Sequence, residues 1–284
     1  MATPAELSIV PRHLMTGLDE CEPVVEWAGD PITSSFLVAM SASFPDGERF
    51  FIDILRHYES KIADPILAKH VKGFIGQEAR HAIAHEKLNQ WFEAAGYPMQ
   101  KGLAIAHWGI EWMKKWLPKW SQLAVTMAIE HFTTRFSDAI LTNETLMSSM
   151  NPSMRSIWQW HALEESEHKA VAQDVFSYLG GGSLMRRSHF LLGTFLFVTT
   201  VILVQLRLLK GTGNLRWSVF KQGWNIMWGK QAGSHGMGKQ MMNSLWFDYF
   251  RRDFHPFDHG NIEVMQAMHA SLEAQGVFQM PPQK

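Results

Sequence analysis

The segment GQEARHAIAHEKLN, residues 76–89, carries the pattern on which the fold prediction rests. Within it, Glu78 and His81 are three positions apart, and on an α-helix the side chains at positions i and i+3 lie on one face. A carboxylate and an imidazole placed in this way can reach one metal ion together. A single pair of this kind is also found on ordinary solvated helix surfaces, so one copy leaves both interpretations open.

A second segment, HALEESEHKAVAQDVF at residues 161–176, repeats the spacing with Glu165 and His168. The repetition favours a shared metal site. A dinuclear centre in a helical bundle uses a Glu-x-x-His pair from each of two helices and one further glutamate from each of the other two. The sequence should therefore contain two more carboxylates at the same depth as the two pairs.

Glu48 fits the first of these positions. In antiparallel neighbouring helices, two residues lie at the same height when the connecting turn falls halfway between them. The midpoint between Glu48 and Glu78 is residue 63, beside a helix-breaking Asp-Pro pair. We expect a helix to begin near Pro45, which would place Glu48 in the first turn. There a carboxylate can also simply compensate the helix dipole, and that alternative stays open.

Glu130 fits the second position, in the apolar stretch LAVTMAIEHF. An acidic side chain in such a stretch faces the core, where burial is costly unless the group is paired or binds a metal. The midpoint between Glu130 and Glu165 falls at 147–148, close to the Asn151-Pro152 break. Four carboxylates meeting in one core would repel each other, and two cations would remove that repulsion. The predicted ligands are Glu48, Glu78, His81, Glu130, Glu165 and His168.

Three further side chains compete for roles around these ligands. His161 lies four residues before Glu165 on the same helical face, and we expect it to be a seventh ligand. Glu164 is an alternative to Glu165, but the symmetry between the two Glu-x-x-His pairs favours Glu165. His85, four residues after His81, can be a ligand, a hydrogen-bond partner of a ligand, or a buried core histidine. We favour the last two roles for His85 and a supporting or solvated position for Glu164.

The rest of the pattern predicts an all-α chain. We expect a lead-in over residues 1–44, a ferritin-like four-helix bundle over 45–182, and an apolar helix with a helical or irregular extension over 183–284. Alternating runs typical of strands are nearly absent. The Trp-rich stretch 97–117 is the one long connection. Two short connections and one long crossover are typical of a ferritin-like bundle.

Residues 190–209, FLLGTFLFVTTVILVQLRLL, are strongly apolar. Twenty helical residues span roughly 30 Å, about the thickness of a bilayer core. Three interpretations stay open: a spanning helix, a helix in the membrane interface, and a buried helix that closes the bundle. The flanking basic residues favour membrane contact slightly. The following WSVFKQGWNIMWGK mixes Trp with Lys, which suits either a headgroup interface or an aromatic helix packed on the bundle.

Composition narrows the class of partner. The net charge is −1, whereas nucleic-acid-binding proteins usually carry an excess of basic residues on one surface. We therefore expect no nucleic-acid partner. The single cysteine excludes a disulfide framework within the chain, and the N-terminus shows no secretory signal, so we expect a cytoplasmic protein. The 12 Trp and 17 Met indicate apolar surfaces that meet lipid, a hydrophobic ligand or another subunit, including a homodimer.

The ligand order resembles the ferritin-like di-iron carboxylate superfamily, and His161 makes the last motif similar to that of the p-aminobenzoate N-oxygenase type. Four phrases also resemble a bacterial family labelled predicted metal-dependent hydrolase: FPDGERFF, GQEARHAIAHEKLN, AIEHFT and HALEESEHKAVAQDVF. This second resemblance covers roughly residues 30–260 and includes FHPFD near the end of that range.

These resemblances imply two functions. The first is a di-iron oxygenase or oxidase that uses O2 and a separate electron donor, since no flavin or nicotinamide fingerprint is present. Its two metals would be iron, with manganese or a mixed pair as options, and its substrate would be hydrophobic or lipid-like. The second is a di-metal hydrolase of an ester or phosphoester. Metal storage is a third class, disfavoured by the additional nitrogen ligand His161.

Overall fold

The computed structural model describes residues 3–4, 7–15, 17–18 and 21–280, and this part of the chain is predominantly helical. The all-α prediction is therefore confirmed. The helices are α1 (Pro31–Glu59), α2 (Pro65–Ala94), α3 (Met99–Trp116), α4 (Lys119–Thr142), α5 (Glu144–Ser148), α6 (Pro152–His168), α7 (Val171–Tyr178), α8 (Ser183–Gly211), α9 (Trp217–Met227), α10 (Met237–Met241), α11 (Ser244–Phe247) and α12 (Ile262–Ala274). Two short strands, β1 (His13–Leu14) and β2 (Phe278–Gln279), pair antiparallel.

The first helix begins earlier than the sequence suggested, at Pro31 and not near Pro45. Asp30 caps it, because its Oδ1 accepts hydrogen bonds from the backbone N–H groups of Ile32 at 2.9 Å and Thr33 at 3.0 Å. Proline at the first helical position loses no hydrogen bond. The predicted boundary between lead-in and bundle at 44–45 is therefore wrong, because it falls inside α1.

Pro45 is accommodated within α1 because its missing donor is replaced. Proline has no N–H, so the carbonyl of Ser41, four residues earlier, loses its partner within the helix. The side-chain amide of Asn89 on α2 donates to that carbonyl at 3.1 Å. Glu48 consequently lies well inside α1, and the alternative that it compensates the dipole in a first turn is wrong.

Two other boundaries also differ from expectation. The predicted long connection 97–117 is almost entirely helix α3. The last part of the predicted four-helix bundle forms two helices, α6 and α7, which are separated by Lys169 and Ala170. Short helix α5 occupies the connection between α4 and α6 and contains the midpoint at 147–148.

Four helices surround the site. α1 packs along α2, and α4 packs along α6, while contacts of α1 with α4 and of α2 with α6 close the four-helix arrangement. The apolar helix α8 lies against α1, α3 and α4 on the outside of this arrangement. The glutamates and histidines of the two motifs therefore face an interior that helices enclose on all four sides.

The C-terminal extension packs on the bundle through α6 and α7. His255 Nε2 lies 3.0 Å from Asp174 Oδ1, and the side-chain amide of Gln173 donates to the carbonyl of Phe254 at 2.8 Å. Lys169 donates to the Oδ1 of Asn261 at 2.9 Å. These contacts place the FHPFD element beside the end of the second motif helix.

Candidate metal centre

The structure brings the predicted site residues together in the centre of the four helices. All are buried, and they form four overlapping groups of three residues; within each group the candidate ligand atoms lie within 4.8 Å of one another. The participants are Glu48 from α1, Glu78, His81 and His85 from α2, Glu130 from α4, and His161, Glu165 and His168 from α6.

One half of the cluster is organised around His168. Its Nε2 lies 3.0 Å from Oε1 of Glu78, 3.6 Å from Oε1 of Glu165 and 3.7 Å from Oε2 of Glu130. Side chains from α2, α4 and α6 thus approach one nitrogen. The other half is reached through Glu165, whose Oε1 lies 3.4 Å from Nε2 of His161 and 3.7 Å from Nδ1 of His81. Glu165 is therefore the carboxylate between the two halves.

Many ligand atoms of the cluster lack a hydrogen-bond partner among the described residues. They include both carboxylate oxygens of Glu48, Glu78 and Glu130, together with Oε2 of Glu165, Nδ1 of His81, and Nε2 of His161 and His168. A buried polar atom without a partner costs about 1–3 kcal/mol, and more when charged. Ten such atoms aimed at one region fit a bound cation pair, which would satisfy them together.

The carboxylates also show that the cluster is electrostatically incomplete. Burial, with the neighbouring Glu78, raises the pKa of Glu48 well above its ordinary value. Burial, with the neighbouring Glu165, raises the pKa of Glu130 in the same way. The pKa of Glu78 is raised to about 7, chiefly by burial. Without a compensating positive charge, the charged forms of these three carboxyl groups are disfavoured.

His168 and Glu165 behave as an ion pair within this environment. Burial opposes both charges, but Glu165 and Glu78 raise the pKa of His168 well above its ordinary value. In return, His168, His161 and His81 lower the pKa of the buried Glu165 carboxyl below its usual range. A proton on His168 thus supplies part of the positive charge that the cluster requires.

Each of the three predicted histidine ligands has its other ring nitrogen held by a buried acceptor. His81 Nε2 lies 3.1 Å from Oε2 of Glu164, which leaves Nδ1 facing the cluster. His168 Nδ1 lies 2.9 Å from Oε1 of Gln77, which leaves Nε2 facing the cluster. Such partners fix the tautomer and the ring orientation of metal-binding histidines.

His161 is held by a longer chain of hydrogen bonds. The Asn89 amide donates to the Ser41 carbonyl, so its Oδ1 is free to accept from the Ser41 hydroxyl at 2.8 Å. His85 Nδ1 then donates to Ser41 Oγ at 2.9 Å, and His85 Nε2 accepts from His161 Nδ1 at 3.1 Å. The lone pair of His161 Nε2 is therefore directed at the cluster, whereas both nitrogens of His85 are occupied.

Glu164 points away from the cluster and forms a buried ion-pair network with the N-terminal segment. Arg12 Nη1 lies 3.3 Å from Oε1 of Glu164, and Arg12 Nη2 lies 2.6 Å from Oε1 of Glu167. Gln77 donates to Oε2 of Glu167 at 2.8 Å, and so connects the network to His168. Glu164 thus orients His81, and the expected preference for Glu165 at the cluster agrees with this geometry.

Several of these contributors have no motif in the sequence. Arg12 and Ser41 reach the site from distant positions, and none of Arg12, Ser41, Gln77 and Asn89 belongs to a spacing motif. Gln77 and Asn89 carry a weak signal, because they lie on the motif helix among the residues that face the core.

A cavity of about 350 Å3 reaches the cluster from one side. Glu48 and Glu165 lie at its inner end, and the remaining lining is almost wholly apolar, with side chains from α1, α3, α4 and α8. Phe51, Ile129 and Phe197 are among them. The cavity suits an apolar molecule that places one group beside the carboxylates.

Comparison with known families supports a metal-dependent enzyme. A model of the family described as "Predicted metal-dependent hydrolase" matches residues 10–260, which is most of the chain. A search of curated proteins and a search of solved structures each find no match.

Proposed function

We propose that this chain, which belongs to the predicted metal-dependent hydrolase family, is an enzyme with a dinuclear metal centre. Its proposed substrate is apolar. The observation that carries the proposal is the set of buried, unpartnered ligand atoms that four helices direct at one region. The arrangement agrees with the ferritin-like di-iron carboxylate type. In that type, two helices give one glutamate each and two give Glu-x-x-His.

The proposed ligands share burial and a free atom that faces the cluster. They are Glu48, Glu78, His81, Glu130, His161, Glu165 and His168. In this proposal His85 and Glu164 are not ligands. They hold His161 and His81 in the tautomers that binding requires, through the contacts at 3.1 Å described above.

The donor set supports iron. Carboxylate-rich sites with a few imidazoles suit hard, redox-active iron or manganese, whereas zinc sites more often combine several nitrogen or sulfur ligands with one metal. We therefore propose two iron ions, and a manganese or mixed pair would satisfy the same ligands. Seven protein ligands for two metals leave coordination positions open for a reactant.

The donor set also supports an oxidoreductase that uses O2. A bound iron pair would supply two electrons to dioxygen, with a separate donor protein to restore them. The residues of this chain would bind and orient the substrate, through the apolar wall of Phe51, Ile129 and Phe197, and would keep water away from the reacting group. The buried histidine contacts would hold the ligands in place through the cycle.

A metal-dependent hydrolase is the second candidate, and the description of the matching family favours it over oxidation. A metal pair bridged by carboxylates can also activate water for attack on an ester. The same cavity would then hold the acyl part of the ester, with its carbonyl near Glu48 and Glu165. The ligands are the same in both candidates, so the two differ only in the co-reactant.

Oxygen dependence separates the two candidates. The metal-free protein is loaded with Fe(II) under anoxic conditions and is then assayed in parallel. One assay follows O2 uptake after air is admitted, and the other follows hydrolysis of nitrophenyl esters of increasing chain length without O2 or reductant. The oxidoreductase predicts stoichiometric O2 uptake by the iron-loaded protein that is lost in Glu130→Ala. Anoxic ester turnover that Glu130→Ala abolishes, without O2 uptake, would establish the hydrolase instead.

A further inference from the structure

Helix α8 exposes a stripe of large apolar side chains along its length. Leu184 is 80% exposed and Phe195 is 67% exposed, and the other members are Leu191, Ile202 and Leu206. Most of these positions are separated by three, four or seven residues, so they share one face of the helix. Such a stripe is costly in water, because soluble proteins rarely leave large contiguous apolar patches uncovered.

The opposite face of α8 is packed tightly on the bundle. Phe190, Val201 and Val204 are buried, and a Cβ atom at Gly193 would come within 2.8 Å of the Cβ of Ala128 on α4. In the described part of the chain, α8 is the helix whose length and composition would allow a membrane crossing, and 28% of its most apolar stretch is buried against the bundle. If α8 crossed a bilayer, the polar surface of the bundle packed against it would enter the lipid. A position along the membrane–water interface therefore suits α8 better.

Helix α3 widens this apolar surface. It runs antiparallel to α8, and close contacts at two glycines hold the pair together: a Cβ at Gly102 would lie 3.2 Å from Val204, and a Cβ at Gly109 would lie 3.1 Å from Thr200. α3 exposes Trp108, which is 67% exposed, and Trp112. Tryptophan is the side chain that membrane interfaces favour, because its ring is apolar and its N–H is polar.

The cavity that reaches the cluster opens on this same surface. Trp108, Trp112, Phe195 and Leu203 are exposed and also line the cavity, whose inner end is formed by Glu48 and Glu165. An apolar chain lying on the α3–α8 face would therefore find a continuous apolar path to the proposed metals.

Positive charge lies at the end of the same helix pair. Lys101 from α3, together with Arg207 and Lys210 from α8, lines a surface depression of about 350 Å3 that has no acidic side chain in its lining. Lys115 lies at the other end of α3, with its ammonium over the ring of Trp116. Basic side chains beside exposed aromatic and aliphatic ones complement anionic lipid headgroups, each cation contributing about 1 kcal/mol near such a surface.

We propose that the α3–α8 face docks on the surface of an anionic lipid bilayer, without crossing it, and that acyl chains enter the cavity directly from the bilayer. The docking is inferred from the exposed apolar and basic side chains of α3 and α8. The identification of lipid acyl chains as substrates rests on the proposed function. Charge complementarity and the cavity opening on the same face favour lipid as the occupant over a second copy of this chain.

Vesicle sedimentation tests the docking. The purified full chain is mixed with vesicles of phosphatidylcholine alone, or of phosphatidylcholine with an equal amount of phosphatidylglycerol. We expect binding to the anionic vesicles, weakened about tenfold or more in the double variant Leu191→Glu/Ile202→Glu. The matched control is Ile66→Glu/Ile83→Glu, which puts the same two charges on exposed isoleucines of α2 and should bind as the native chain does. Absence of native binding, or equal loss in the control, would overturn the proposal.

Two further measurements address misfolding and the second copy. With brominated acyl chains, native tryptophan fluorescence should be quenched, and Trp108→Leu/Trp112→Leu should lose much of that quenching; unchanged quenching would contradict the proposed face. Light scattering without vesicles should show that Leu191→Glu/Ile202→Glu has the native mass, whereas a native dimer that becomes a monomer would assign the face to a second copy.

Metal content separates this proposal from the proposed function. The stripe variants should retain the metal content of the native chain, because α8 supplies none of the proposed ligands. A native chain that ignores vesicles but holds two metals per chain would refute docking alone. A native chain that binds vesicles but holds no metal would refute the dinuclear enzyme alone.

Discussion

Nε2 of His85 lies 3.1 Å from Nδ1 of His161, and this contact determines which nitrogen of His161 faces the carboxylates. The direction of the hydrogen bonds from Asn89 through Ser41 to His85 leaves His85 Nε2 as an acceptor. His161 must then donate from Nδ1 and present the lone pair of Nε2. The role of His161 as a ligand therefore depends on residues that are not themselves proposed ligands.

Replacement of His85 by phenylalanine should weaken metal binding at the His161 side of the centre. Supporting hydrogen bonds to metal ligands are typically worth 10- to 100-fold in affinity, so we expect a loss of about that size for one metal. Titration of the metal-free variant with Fe(II) measures it. His85→Gln, whose amide can still accept from His161, should retain more affinity. Equal affinity in the native chain and both variants would show that the contact does not position His161.

Glu130→Gln should affect stability and metal binding in opposite directions. Burial raises the pKa of Glu130 well above its ordinary value, so the charged carboxylate is disfavoured in the metal-free native state. The neutral amide removes that cost, and the metal-free variant should be stabilised by on the order of 1–3 kcal/mol at neutral pH. Metal content should fall.

Chemical denaturation and metal analysis check this pair of effects. Glu59→Gln is a matched control, because Glu59 is exposed at the end of α1, and it should alter neither quantity. A less stable metal-free Glu130→Gln protein that still holds two metals would contradict the proposed role of Glu130.

The contribution of Glu78 to the stability of the metal-free protein should fall as pH rises. Burial raises the pKa of Glu78 from its ordinary value of 4.5 to about 7, so between these values this carboxyl group binds more protons in the folded state than in the unfolded state. The slope of the unfolding free energy with pH is then negative, and stability is lost from about pH 4.5 to about pH 7. Metal loading releases those protons and should flatten or reverse the trend. The difference in melting temperature between Glu78→Gln and the native chain, both metal-free, should grow across this range, and Fe(II) should remove that advantage of the variant.

Arg12→Ala should be strongly destabilising. Arg12 is buried and is the cation nearest to Glu164 and Glu167, so its removal leaves two buried carboxylates without their partner. Breaking a buried ion pair in this way costs about 3–5 kcal/mol. Urea denaturation of metal-free protein measures the loss, and the exposed Arg56→Ala on α1 should cost far less. Similar losses in the two variants would show that the network contributes little.

Filling the cavity should reduce substrate binding without removing metal. Ala106 is buried on α3 and lines the cavity, so phenylalanine at this position would occupy space beside Trp108 and Ile110. We expect Ala106→Phe to retain native metal content and to lose turnover of long-chain substrates more than that of short-chain ones. An unchanged preference for chain length would argue against the cavity as the binding site.

The helices and the cluster were predictable because they rest on local signals. The spacing of Glu78 and His81 recurs at Glu165 and His168, and Asp-Pro and Asn-Pro breaks mark the turns that bring helices side by side. The sequence predicts the start of α1 near Pro45 because proline is favoured in the first turn of a helix. Only the contact between Asn89 and the Ser41 carbonyl, which joins two helices, lets the helix continue.

The supporting residues were not predictable for the same physical reason. Arg12 acts across more than 150 positions of sequence on Glu164, and no local pattern encodes such a contact. The sequence leaves three interpretations of the apolar stretch at 190–209 open, because composition cannot distinguish lipid from protein as the neighbour of an apolar side chain. The packing of Gly193 on Ala128 shows that one face of α8 contacts the bundle. The other face is the exposed apolar stripe.

Metal analysis of the purified native chain, after expression in medium supplemented with iron, tests the central claim most directly. The claim is that buried carboxylates and imidazoles from four helices hold a pair of cations. We predict about two iron ions per chain, with fewer than half of that amount in Glu130→Ala. A single zinc ion per chain, or a metal content that Glu130→Ala leaves unchanged, would contradict it.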